Sequence, residues 1–204
     1  MHHQSVTAMR KAERTKQNII EQAAPLFNQK GIAGTTIDDI LQAAKVAKGC
    51  LYSHFENKDD LSAHTVDFLL AKSIGCVQDV MSAATTAKGR IFAYLDSCQD
   101  PLDMAIVGGC PIFNLAVEAD DNHPAVKQKV GAVMQALHAN FTAILQAGID
   151  QGEFAATLKA EDFAFKMYVA VEGATVMCRV LASSQPMRRL IKTLKEELDA
   201  YSLG

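Results

Sequence analysis

Apolar residues recur along this chain at three- and four-residue intervals, and β-branched alternation is almost absent, which predicts helices throughout. Ile19, Ile20, Ala23, Ala24 and Phe27 form the stripe of a first helix over 11–30, which Gly31 ends. Pro25 lies inside that stripe and predicts a kink near Glu21, because one backbone hydrogen bond is lost there. Thr35-Thr36-Ile37-Asp38 reads as a capping box, with Thr35 as N-cap and Asp38 three positions on. The short helix it opens turns Ile37, Ile40 and Leu41 inward and ends near Ala44. A second short helix over 47–54 turns Leu51 and Phe55 inward and leaves Lys48, Gly49, Tyr52 and Ser53 outward. Asn57, followed by Lys58-Asp59-Asp60, caps a long helix over 58–82 with acids in its first turn. Further helices are predicted over 88–99, from Pro111, and over 124–151, 160–183 and 186–201.

An all-α chain of 204 residues, 49% apolar, has ample length to bury a core. No run approaches the ~18 uninterrupted apolar residues of a membrane span, and Lys166, Glu172 and Arg179 interrupt the most apolar stretch. The first eleven residues are polar and then basic, without an apolar signal segment. Five scattered cysteines with no CxxC pair support neither a zinc site nor a disulfide framework, so the expectation is a cytoplasmic protein without metal or cofactor. Net charge is −3, which by itself argues against nucleic acid. Its distribution changes the picture: residues 8–58 hold eight basic and five acidic side chains, whereas residues 61–204 hold twelve and sixteen. That permits a small DNA-binding head on an acidic body.

Two short helices joined by Lys45-Val46 behind a longer one make a helix-turn-helix unit, whose second helix enters the DNA major groove. Phe27, Gly31, Thr36, Ile40, Ala44, Val46, Lys48-Gly49, Leu51-Tyr52, Phe55 and Asn57-Lys58 lie in register over about 14–66, and this stretch closely resembles the DNA-binding domain of the tetracycline-repressor family of bacterial transcription regulators. The resemblance implies an N-terminal three-helix DNA-binding domain over 11–57, joined by a long helix to a helical effector-binding and dimerisation domain over 58–204. It further implies that Thr36 offers its hydroxyl or amide to a phosphate, as helix N-termini favour anions. Lys48 then meets the phosphate backbone or a guanine edge, and Gly49 lets the helix approach the groove. Cys50 touches a thymine methyl or packs. Ser53 faces the groove, Tyr52 and His54 reach phosphates on either flank, and Lys58 clamps another. Without the resemblance, Lys48 and Lys58 read as solvated surface lysines. Three residues depart from the family pattern: Lys45 where a turn glycine is usual, Ala47 where a capping serine is usual, and Cys50.

A single helix-turn-helix reads one half-site, so a homodimer on a palindromic double-stranded operator is expected. Its interface is expected on the helices over 124–151 and 160–183, along Val130, Val133, Leu137, Phe141, Ile144 and Leu145, and along Phe163, Met167, Val171, Ala174, Met177 and Cys178, residues that also suit intrachain core, the resemblance implying a part in both. The resemblance also implies a small-molecule effector cavity. Candidate lining residues are Phe68, Met81, Tyr94, Cys110, Phe113, Asn114, Val117 and His138, each of which, taken singly, suits plain core better than ligand contact. Cys110, ahead of Pro111, is placed as a helix N-cap, where a thiol becomes more acidic and suits either sensing or burial. Asn114 and Glu118 lie on the same helix face and meet either a ligand or neighbouring helices. The chain lacks HExxH, GxSxG, P-loop and dinucleotide glycine signatures, so an enzyme is not expected. The alternative reading is an all-helical small-molecule carrier or enzyme without DNA binding.

Overall fold

A computed structural model describes residues 2–203, with side chains from residue 11 onward; the side chains of the polar N-terminal stretch lie outside the described residues. Helices account for the architecture in chain order: α1 (His2–Gly34), α2 (Ile37–Ala44), α3 (Lys48–Tyr52), α4 (Lys58–Ser82), α5 (Ala87–Ser97), α6 (Pro111–Ala119), α7 (Pro124–Asp150), α8 (Ala160–Leu181) and α9 (Gln185–Asp199). Among the described residues, no helix is long and apolar enough to cross a membrane.

The chain divides into two compact units, and neither is continuous in sequence. The first comprises residues up to Ala71 together with Ile106–Lys127, so α6 joins α1–α3 and the start of α4. Its core is the predicted stripe of α1, with Ile19, Ile20, Ala23, Ala24 and Phe27 all buried, closed by Ile40, Leu51, Phe55 and Leu61. The helix runs through Pro25 with helical φ/ψ, and its break falls at Gly31 (φ 78, ψ 165), where the sequence ends it. Pro25 loses a donor and crowds the Glu21 carbonyl but keeps a helical φ, whereas Gly31 adopts a backbone region that is essentially closed to other residues.

Two side chains of α6 service that break. In an unbroken helix the Ile32 N–H would donate to the Asn28 carbonyl. Here the Ile32 and Ala33 N–H groups donate to the two oxygens of Glu118, each at 2.9 Å. Asn114 Nδ2 donates to the Asn28 carbonyl at 3.1 Å and to Asn28 Oδ1 at 2.9 Å. The Asn28 amide, buried at 4% exposure, donates in turn to the carbonyls of Val107 and Gly109, both at 3.0 Å.

The second unit holds Lys72–Ala105 and Gln128–Gly204. Its core contains Met81, Ile91, Leu95, Phe141, Leu145, Phe154, Phe163, Met167, Met187 and Leu198. Glu153 caps α5, accepting from the Ala87 and Lys88 N–H groups at 3.0 and 3.1 Å, and its carbonyl accepts from Leu203 at 3.0 Å. Gly148 of α7 lies so close to Phe154 and Ala87 that a Cβ there would sit 2.6 Å from the ring and 2.7 Å from the methyl. Helix α8 is apolar on two faces. Phe163, Met167, Val171, Ala174 and Cys178 point into the core, while Phe165, Val169, Val176, Met177 and Val180 are exposed. The stripe expected from sequence to meet a partner is therefore mostly interior, along with Val130, Leu137, Phe141, Ile144 and Leu145 of α7; Met177 alone of the α8 set faces out.

Candidate nucleic-acid interface

Helix α2 begins one residue later than the sequence suggests. Thr36 is its N-cap and Asp39 its N3 residue. Asp39 N–H donates to Thr36 Oγ1 at 3.1 Å, while the Thr36 amide and hydroxyl donate to Asp39 Oδ2 at 2.9 and 2.8 Å. Thr35, the expected cap, is fully buried and donates its hydroxyl to the Gly31 carbonyl at 2.7 Å. The backbone N–H of Thr36, and then the Lys30 ammonium 3.0 Å away, hold the Asp39 carboxyl at a pKa of about 2, against a usual 3.8. Thr36 thus presents an amide and hydroxyl already engaged by a carboxylate, and a phosphate there has to share them.

Lys45 makes the turn in the left-handed region (φ 55, ψ 44), at a position where glycine costs less. Helix α3 is shorter than predicted, and Ala47 at its N-cap supplies no side-chain cap. Its C-terminal end is closed by Ser53, whose amide donates to Gly49 and whose hydroxyl donates to Cys50 at 2.7 Å. This turns the Ser53 side chain back onto α3. Leu51 is wholly buried and fixes the roll of the helix. The opposite face carries Lys48 and Gly49, both exposed, and Tyr52 at 43% exposure. Lys48 has no ion pair among the described residues. A Cβ added to Gly49 would meet nothing within 4 Å, so nothing inside the protein requires glycine there. Cys50, His54 and Lys58 are half-buried at the edges of this face. Asn57 Oδ1 accepts from the Asp60 amide at 2.9 Å and Asp60 accepts from the Glu56 amide at 3.1 Å, which sets the start of α4 and places Lys58. Sequence reasoning missed a brace behind the head: Lys16 Nζ lies 3.0 Å from His64 Nε2, and His64 meets Phe55 edge-on. A separation of 48 positions leaves no periodic signal for it.

The candidate effector residues are divided between the two units. Phe68, Cys110, Phe113, Asn114 and Val117 belong to the first unit, and Met81, Tyr94 and His138 to the second. Val117 is 63% exposed on α6. The Asn114 amide is engaged by Asn28 and by the Gly108 carbonyl. Cys110 is the N-cap of α6 and half-buried, with Pro111 following as foreseen, while Phe68 and Phe113 are half-buried. In the second unit, Met81 is buried, and Tyr94, also buried, lies 4.6 Å from Phe141 with the rings tilted by 46°, and Tyr168 lies beyond Phe141 at 6.2 Å. His138 is half-buried, its Nε2 3.3 Å from the Glu161 carbonyl and its ring edge-on to Phe165. Beside Tyr94, burial above all, and then the Glu172 carboxylate, push the Cys98 thiol up to about 11. Glu172, itself 7% exposed, gives this interior a polar patch that sequence reasoning did not single out. An open groove of about 230 Å3 lies instead in the first unit, between Ile32, Asp59, Ala63 and His123, and holds none of the candidate residues. Among the described residues, no three His, Cys, Asp or Glu side chains group as a metal site.

Residues 19–65 match the family described as bacterial regulatory proteins, tetR family, and residues 87–194 match the tetracyclin repressor-like C-terminal domain. The chain is 21% identical over 184 residues to the HTH-type transcriptional repressor DhaR of a Mycobacterium species, covering 90% of this chain and 91% of that one. It is 27% identical over 168 residues to the HTH-type transcriptional regulator TtgR of Pseudomonas putida, covering 79% of each. A crystal structure of a TetR transcriptional regulator from Chloroflexus aurantiacus superposes with a TM-score of 0.89 at 31% identity, over 95% of this chain and 98% of that one.

Proposed function

Since the chain belongs to the tetracycline-repressor family of bacterial transcription regulators, we propose that it is a repressor that binds a palindromic operator as a homodimer and leaves it when a small-molecule effector binds. It acts in the cytoplasm, where its operator is, and carries out no chemistry. DNA binding belongs to residues 11–57, and effector binding and dimerisation to residues 58–204.

The observation that carries this reading is the face of α3. Leu51 is wholly buried, while Lys48 and the open Gly49 project from the other side with Tyr52. The open glycine between Lys48 and Tyr52 leaves room for a surface to come close to α3 from outside. Lys48, Gly49 and Tyr52 are the central contacts, and Lys58 and His54 meet flanking phosphates. Cys50 and Ser53 border them, and Thr36 lies at the α2 end. The exposed apolar face of α8 supports the dimer, because a contiguous stripe of Phe165, Val169, Val176, Met177 and Val180 is costly to leave in water. Paired with its equal across a two-fold axis, it makes a bundle of helices and sets two α3 helices at a fixed spacing. An effector that fits one arrangement of the body shifts α4 and changes that spacing. The polar interior around Tyr94, Tyr168 and Glu172 supports the second unit as the effector's site.

Selection of duplexes from a random pool, followed by titration across salt, tests the whole reading. The expected result is a two-fold-symmetric site whose affinity falls steeply with salt. A carrier or enzyme without DNA binding enriches no sequence, and that outcome refutes the proposal.

A further inference from the structure

The break in α1 lies only a few residues ahead of the buried threonine that leads into α2. What holds residues 32–34 therefore sets the direction from which the helix-turn-helix starts. Helix α6 holds them with two side chains one turn apart. Asn114 supplies a donor to the carbonyl left over at Asn28, and Glu118 supplies two acceptors to the N–H groups left over at Ile32 and Ala33. Those are the orphan groups that any helix break creates. The fit is close on the other side as well. A Cβ on Gly31 would sit 3.0 Å from both Glu118 oxygens, so the same glycine that turns the chain makes room for the carboxylate.

We propose that Glu118 and Asn114 are positioning residues for operator binding: without touching DNA, they clamp both sides of the Gly31 break and so aim α2 and α3. This rests on the DNA-binding reading above. Hydrogen bonds of this kind weaken steeply beyond about 3.2 Å, so a displacement of α6 of about 1 Å opens the clamp and loosens the head.

Charge gives the proposal a signature. Removing Glu118 deletes a negative charge, which on electrostatic grounds alone strengthens binding to any DNA. Loss of the clamp instead weakens binding to the selected operator alone. The full chain and its Glu118→Ala, Glu118→Gln and Asn114→Ala variants are titrated against the duplex selected by the parent and against a scrambled duplex of equal length, with thermal melts alongside. Amide exchange at Ile32 and Ala33 is followed in the parent. Expected are parent amides protected by about 100-fold or more, a loss of about tenfold for Glu118→Ala on the selected duplex, and no loss on the scrambled one. Glu118→Gln, which keeps the volume and one oxygen, is expected to fall between. Should Glu118→Ala not fold, the glutamine variant and the parent exchange rates decide. Affinity within twofold of the parent, equal losses on both duplexes, or unprotected Ile32 and Ala33 amides overturn the proposal. If the parent selects no duplex at all, the DNA-binding reading has failed and this one falls with it, while the exchange data still show whether the clamp forms.

Discussion

Replacing Gly148 by alanine is expected to destabilise the protein, although glycine to alanine inside a helix ordinarily stabilises by about 1 kcal/mol. The new methyl would stand 2.6 and 2.7 Å from ring carbons of Phe154 and 2.7 Å from the Ala87 methyl. Neither neighbour can withdraw. Phe154 is 1% exposed and the bridge to Ser202 holds its backbone, while Ala87 is fixed by the Glu153 cap on its amide. Overpacking a rigid core site costs about 1–3 kcal/mol, and the upper half of that range applies where backbone has to move. Set against the helix gain, the net loss is about 1–2 kcal/mol, or roughly 2–8 °C in the melting midpoint of a chain this long. The control is Gly131→Ala in the same helix, where a Cβ meets nothing within 4 Å and a rise of about 2–4 °C is expected. Thermal denaturation followed by circular dichroism reads both. A Gly148→Ala protein that melts at or above the parent would show that α7 does not cross Ala87 and Phe154 as closely as described.

Lys48→Ala and Tyr52→Ala are each expected to weaken binding to the selected operator by about 1–3 kcal/mol with unchanged melting; fluorescence anisotropy with the parent as reference tests this, and unaltered affinity in both would mean that another face of α3 meets DNA. Val176→Asp and Val180→Asp, on the exposed face of α8, should yield folded monomers in sedimentation, whereas Val171→Asp, pointing into the core, should unfold the chain; a folded dimer from Val176→Asp would place the interface elsewhere. Because the Asp39 pKa is lower folded than unfolded, its contribution to stability is complete above the usual 3.8 and is lost as pH falls toward about 2. Asp39→Asn should therefore flatten the acid limb of the stability profile between those values, and an unchanged limb would count against the capping box.

Most helix starts were legible because they are written in local chemistry: Asn57 ahead of two acids, Pro111 after Cys110, Pro124 after His123. The helix-turn-helix was legible because the residues that carry its family resemblance lie in register within one short stretch; a pair of short helices alone is too common a pattern to identify it. The capping box slipped by one position, since Thr35-Thr36 and Asp38-Asp39 offer two equivalent pairings and only the burial of Thr35 selects between them. On α8 both faces are apolar at helical spacing, so periodicity alone had no means of separating the core face from the exposed one. Asn114 meets Asn28, and Glu118 meets Ile32, each across 86 positions, a distance over which pattern carries no information.

The clamp also has a schedule. Ala33 and the carboxylate that caps it are 85 positions apart. At a synthesis rate of about 5–20 residues per second, Ala33 leaves the ribosome roughly 4–17 s before Glu118 does. During that interval the Ile32 and Ala33 amides lack the Glu118 carboxylate, and the polypeptide between α4 and α6 has to fold back before the entry to α2 is fixed. A newly made chain therefore gains its aimed recognition helix late in translation, and a fragment cut after α4 would carry every residue proposed to face DNA while lacking the two that orient them.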